Sequence, residues 1–104
     1  MKVEFNTNII RCLEVESTNS YAIGLLQNNQ IKNFTVVVAD FQSKGKGQRS
    51  NSWHSEKSSN LLLSLIIKHR INISNQFNLN VLISLSIIDL LNQVGIHNIS
   101  IKWP

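Results

Sequence analysis

Val36-Val37-Val38-Ala39-Asp40-Phe41-Gln42-Ser43-Lys44-Gly45-Lys46-Gly47-Gln48-Arg49-Ser50-Asn51-Ser52-Trp53 passes from a continuous apolar run into two close glycines, three cations and a closing indole. The run from Phe34 to Phe41 is β-branched and nearly all apolar, the pattern of a strand buried on both faces. Directly after it, Gly45 and Gly47 let the backbone come close to a ligand, and Lys44, Lys46 and Arg49 can neutralise negative oxygens. Trp53 offers a flat apolar face for a nucleobase. A solvated basic turn between two strands uses the same residue types, so both readings stand at this point.

Upstream, Ile9–Val15 alternates as a strand with one covered face. Ser17 or Thr18 then caps a helix whose stripe is Tyr21, Ala22, Leu25 and Leu26 and which fades at Asn28-Asn29. Downstream, the apolar run Leu61–Ile67 reads as a central strand, ended by Lys68-His69-Arg70. A longer helix follows from about Gln76 to Val94, with Val81, Leu82, Leu85, Ile88 and Leu91 on or near one face and Gly95 as a left-handed stop. The last element, Ile99–Trp103, alternates as a strand with Ile99, Ile101 and Trp103 on one side. The order is β, α, β, β, α, β.

A chain of 104 residues with 42% hydrophobic content has room for one domain with a single modest core, and no linker is expected. The net charge of +4 fits an acidic or phosphorylated partner, but the excess is too small to decide. Cys12 is the only cysteine, which excludes an internal disulfide and a multi-cysteine zinc site and points to a reducing compartment. Its place within a strand suits a small buried thiol better than a nucleophile. Met1–Phe5 does not lead into a secretion signal, and no segment reaches the roughly 18 apolar residues of a membrane span, so a cytoplasmic protein without membrane partners is expected. Ending directly after an alternating strand, at Pro104, the chain reads as the front part of a longer protein.

Several familiar constellations fail on their context. Gly45-Lys46-Gly47-Gln48-Arg49-Ser50 looks like a dinucleotide fingerprint, yet the residues after it carry no apolar helical stripe. A phosphate-binding P-loop lacks its Lys followed by Ser or Thr at the required spacing. His54, His69 and His97 have no metal-ligand spacing, and Asp40 and Glu56 would pair only through an unseen tertiary contact. Ser17-Thr18-Asn19 reads first as a helix cap, but its hydroxyls and amide, with Gln42 at the end of the next strand, also make a suitable set for hydrogen-bonding a small polar ring.

Taken in order, the Ser17-Thr18-Asn19 helix start, Ala39-Asp40-Phe41-Gln42, the glycine loop with Trp53, Asn60-Leu61 and Lys102-Trp103-Pro104 resemble the biotin protein ligases, over nearly the whole chain. The resemblance implies an α+β fold, a mixed β-sheet with flanking helices as in class II synthetases. Residues 1–104 would be the N-terminal, truncated portion of the catalytic domain. It also implies ATP-dependent activation of biotin to biotinyl-AMP, with Mg²⁺ accompanying ATP, and transfer of biotin to a lysine of a biotin carboxyl carrier protein. By matching positions, Ser17, Thr18, Asn19 and Gln42 would bind biotin, with Lys46, Gly47 and Gln48 in the loop that closes over it. Lys46 and Arg49 would serve catalysis by offsetting charge on the carboxylate and phosphates. Gly45, Arg49, Trp53 and Lys102 would face the adenylate.

Departures from the family pattern are visible. The usual loop is closer to Gly-Arg-Gly-Arg-x-Gly, whereas Lys46 and Gln48 stand at the arginine positions and Ser50 at the last glycine. Lysine keeps the charge without the bidentate fork, and Gln48 loses both. The family's Asn-Asp after Lys-Trp-Pro, its later lysine strand and its small C-terminal domain are absent from this sequence, so the 104 residues alone are expected to be inactive. No N-terminal winged-helix segment precedes the catalytic-type sequence, so no DNA partner is expected. Two alternatives remain: a lipoate or octanoyl transferase of the same fold, and a noncatalytic basic module binding nucleic acid through the loop and Lys68-His69-Arg70.

Overall fold

A computed structural model describes residues 8–28, 31–47, 49–68 and 72–102. They fall into two compact units, within Met1–Lys68 and His69–Pro104.

The first unit is a three-stranded mixed sheet with one helix on it. Strand β1 (Ile9–Val15) leads into helix α1 (Thr18–Leu26), which returns the chain to β2 (Thr35–Gln42). Strands β1 and β2 run parallel, in register from Ile9 opposite Val36 to Val15 opposite Gln42. The chain then makes a small hairpin of β3 (Gly45–Lys46) and β4 (Ser52–Trp53) before β5 (Leu62–Ile66) pairs antiparallel with β2. The order β1-β2-β5 makes β2 the centre of the sheet.

Helix α1 begins where the sequence places a cap. Ser17 has extended backbone angles, and its Oγ accepts a hydrogen bond from the Ser20 N–H at 3.3 Å, satisfying one of the donors that a helix start leaves unpaired. Thr18 and Ala22 are buried, four residues apart on one face, and Leu25 packs beside Ala22 against Val37 and Ile66. The apolar stripe is narrower than the sequence suggests, since Tyr21 and Leu26 are largely exposed.

Several expectations are corrected. Strand β2 is buried on one face only: Thr35, Val37 and Ala39 lie inside while Val36, Val38 and Asp40 are half-buried, because α1 covers a single side. The apolar run at Leu61–Ile67 forms a flank of the sheet rather than its centre, and Leu63 and Leu65 are exposed. Cys12 is half-buried rather than buried. The glycine segment, read as a loop, contains the β3–β4 ladder.

In the second unit, helix α2 spans Ile73–Gln93, starting earlier than the apolar stripe alone indicates. Gly95 adopts φ +91 just past its end, and the Gly95 and Ile96 N–H groups bond back to Asn92 and Leu91 carbonyls, the expected left-handed stop. Ile99–Lys102 is not a strand, contrary to its alternation. Alternation marks which side of a segment is apolar, but a strand exists only where a partner backbone supplies its hydrogen bonds, and none of the described ladders includes these residues. Trp103 lies outside the described residues, as does His69. No described helix is long and apolar enough to cross a membrane.

Candidate functional site

The junction of β1 with α1, the end of β2 and the β3–β4 hairpin converge on a cavity of about 450 Å³. One polar wall is Ser17, Thr18 and Asn19 from the start of α1 with Gln42 from the end of β2, and a second is Lys46 and Gly47 from the hairpin. Leu61, Leu62, Leu63 and Ser64, from β5 and the residue before it, also line the cavity. The volume falls within the range of about 300–1,000 Å³ typical of small-molecule sites.

Thr18 organises the first of these walls. Its N–H, unpaired within the helix, donates to Gln42 Oε1 at 2.7 Å, and its Oγ1 meets Ser64 Oγ at 2.9 Å. Ser17 and Thr18 are 3% and 4% exposed, so these polar groups sit in a dry setting where a missing partner is expensive. With Oε1 engaged, the Gln42 carboxamide can offer its NH₂ donors to a ligand, while the hydroxyls can both donate and accept.

The hairpin is fastened at its base to the β1–α1 junction. Ser43 N–H donates to the Val15 carbonyl at 3.0 Å and Lys44 N–H to the Glu16 carbonyl at 2.7 Å. An exposed ion pair, Lys44 Nζ to Glu16 Oε1 at 3.6 Å, adds little. Gly45 is buried where no side chain fits: a Cβ there would collide with the Trp53 carbonyl oxygen and lie 3.1 Å from Gln42 Nε2. Toward the tip, Gly47 N–H donates to the Asn51 carbonyl at 2.6 Å, while Arg49 and Ser50 hold φ +53 and +66. Ser50 thus occupies, without being glycine, a backbone region that glycine favours.

The structure therefore brings Ser17, Thr18, Asn19, Gln42, Lys46 and Gly47 to one cavity. It does not bring Arg49, Trp53 or Gly45 there. Arg49 is exposed in the hairpin turn, Trp53 is 63% exposed on β4, and Gly45 is buried, paired with Trp53 in the ladder and bordering a separate hollow of about 370 Å³. Lys102 belongs to the second unit, and Gln48 lies outside the described residues. Among the described residues, no three of His, Cys, Asp and Glu gather to hold a metal ion. Asp40 is instead paired with Arg11 at 3.1 Å on the sheet.

Sequence reasoning missed Ser64 and Ser20. Ser64 is the one hydroxyl inside the leucine-rich run Leu61–Ile67, an anomaly that marks a polar contact within an apolar strand. The Ser20 hydroxyl accepts a hydrogen bond from Lys46 Nζ at 2.9 Å, 26 residues away, and no local signal announces it.

The family model described as the biotin/lipoate A/B protein ligase family matches residues 11–104. The bifunctional ligase/repressor BirA of Bacillus subtilis is 32% identical over 79 residues, covering 76% of this chain and 24% of that protein. BirA of Escherichia coli is 26% identical over 90 residues, covering 86% and 27%. Among solved structures, the biotin acetyl coenzyme A carboxylase synthetase of Helicobacter pylori, crystallised with bound biotinylated ATP, superposes with a TM-score of 0.74 at 24% identity. That match covers 95% of this chain and 47% of the synthetase, and it shows the fold: α+β, a mixed sheet with helices. The chain spans about a quarter of the length of the curated relatives it matches.

Proposed function

The chain belongs to the biotin/lipoate A/B protein ligase family, and from that premise we propose that it works as part of a biotin protein ligase. The biotin carboxylate oxygen attacks the α-phosphorus of ATP, the bond to the bridging oxygen breaks, and pyrophosphate leaves. The ε-amine of a lysine on a biotin carboxyl carrier protein then attacks the acyl carbon of biotinyl-AMP and expels AMP.

One observation carries this reading: the start of α1, the end of β2 and the hairpin, three separate elements, deliver Ser17, Thr18, Asn19, Gln42 and Lys46 to one cavity that Leu61, Leu62 and Leu63 also line. A cyclic urea needs donors for its carbonyl and acceptors for its N–H groups, and the Gln42 amide with the hydroxyls offers both. Leu61, Leu62 and Leu63 suit the apolar remainder of the ligand. Lys46 meets the carboxylate, Gly47 and Gln48 complete the closing loop, and Arg49 answers the phosphates once the loop has closed. Gly45 supports that loop, and Trp53 borders the nucleotide. Closure excludes water from a mixed anhydride that water would destroy. A divalent ion would accompany the ATP phosphates. The structural neighbour's name, a biotin acetyl coenzyme A carboxylase synthetase with bound biotinylated ATP, supports biotin over lipoate.

Calorimetry of the full-length protein with biotin and with lipoate, followed by biotin-dependent pyrophosphate release, tests the proposal. Biotin is expected to bind and to trigger release. Lipoate binding alone would redirect the protein to lipoyl transfer, and salt-dependent RNA or DNA binding without any biotin effect would make it a nucleic-acid module.

A further inference from the structure

Consecutive polar residues at the start of α1 carry different tasks. The Ser17 side chain caps the helix, Thr18 holds Gln42 and Ser64, and Asn19 faces the cavity. Ser20 does not line that cavity. Its hydroxyl instead accepts a hydrogen bond from Lys46 Nζ at 2.9 Å. We infer that Ser20 is a positioning residue, which holds the Lys46 ammonium, and with it the β3–β4 hairpin, against the start of α1 before any ligand arrives.

The placement of this contact gives it leverage. The base of the hairpin is fastened by main-chain bonds at Ser43 and Lys44, and the Gly47–Asn51 bond closes the tip on itself. Lys46 lies between base and tip, so its tether to α1 sets how far the tip can swing. Ser20 also borders a second hollow of about 310 Å³, with Val15, Glu16, Ser17 and Tyr21. The Lys46–Ser20 bond therefore runs from the main cavity to its neighbour, and Ser17 lines both. Holding the ammonium there presents a cation at the cavity wall in advance, which lowers the ordering cost of meeting an anion. An arginine at position 46, with its longer planar fork, would not need this prop.

The inference rests on the biotin-ligase reading only for the identity of that anion. Substitution separates the tether from the helix itself, because the bond to the Ser17 cap uses the Ser20 backbone N–H, and alanine is the better helix former. In the ligand-free full-length protein, Ser20→Ala is expected to speed tryptic cleavage after Arg49 by about three- to fivefold, the scale of one exposed hydrogen bond to a charged group. Ser20→Thr, which keeps the hydroxyl, should restore the wild-type rate, and melting temperature should not fall in either variant. Lys46→Met should accelerate cleavage at Arg49 to the same extent as Ser20→Ala, and combining the two should add nothing. In the biotinylation assay, Ser20→Ala should raise the KM for biotin by a similar factor with kcat unchanged.

Cleavage of Ser20→Ala at the wild-type rate, equal acceleration by Ser20→Thr, or additive effects in the double variant would each overturn the tether. If the cleavage pattern holds while the wild-type protein binds no biotin, the tether stands and the biotin reading falls. Normal biotin binding with unaltered cleavage sinks the tether alone.

Discussion

On one wall of the cavity, Ser17 and Thr18 are nearly fully buried and bonded to partners from α1, β2 and β5; on the other, Lys46 and Gly47 are exposed, on a hairpin of two-residue strands. The buried wall has its geometry set before a ligand binds, because every displaced hydroxyl or amide would lose a hydrogen bond in a dry place. The hairpin wall is held by a few exposed contacts and includes two non-glycine residues in the left-handed region, so moving it costs little. Selecting a ligand and closing over it make opposite demands on stiffness, and the proposed function would assign them to different elements.

The harshest way to break this contrast is to separate the two walls where they meet. Gly45→Val forces a side chain against the Trp53 carbonyl and Gln42. We expect about 3 kcal/mol of strain from such overpacking, with biotin binding weakened roughly hundredfold or more in calorimetry. Unchanged affinity would show that the hairpin and Gln42 act independently.

Thr18→Val tests the stiff wall alone. The shape is kept, but the Ser64 hydroxyl loses its partner and the ligand loses a hydroxyl, so affinity for biotin should drop by about tenfold, in line with roughly 1–2 kcal/mol for a part-buried group. An effect on melting temperature without one on affinity would make the pair structural only. Lys46→Ala probes the yielding wall: the KM for biotin should rise about fivefold, the scale of one exposed charge contact, and biotinyl-AMP should escape faster in a chase experiment. Ser50→Gly sharpens the comparison in the opposite direction. Glycine removes a left-handed cost of about 1–2 kcal/mol for an L-residue but loses some backbone freedom on ordering, leaving a gain of about 0.5 kcal/mol. Slower tryptic cleavage of the hairpin would register it.

Much of the candidate site is legible in the sequence. Ser17-Thr18-Asn19 announces a helix start by its residue types, and Gln42 by its place at the end of an apolar run. What escaped the reading needed distance information. Ser64 and Ser20 act through partners 46 and 26 positions away, and serine is common enough that composition does not single them out. Arg49 and Trp53 are the reverse case. Their chemistry suits a nucleotide, yet they stand outside the cavity, because a loop's residue types do not state where its tip points.

Local rules in the chain itself were enough to determine β1, α1, β2, β5 and α2 to within a few residues, the Ser17 cap and the Gly95 stop, since each depends on neighbours within about one turn. Only the tertiary structure decided that β2 is the central strand, that Leu61–Ile67 flanks it, that Ile99–Lys102 is not a strand and that Thr18, Gln42, Ser64 and Lys46 share one cavity. These outcomes depend on hydrogen bonds and packing between segments remote in sequence. Whether such partners meet is settled by the free energy of the whole chain, not by any window of it.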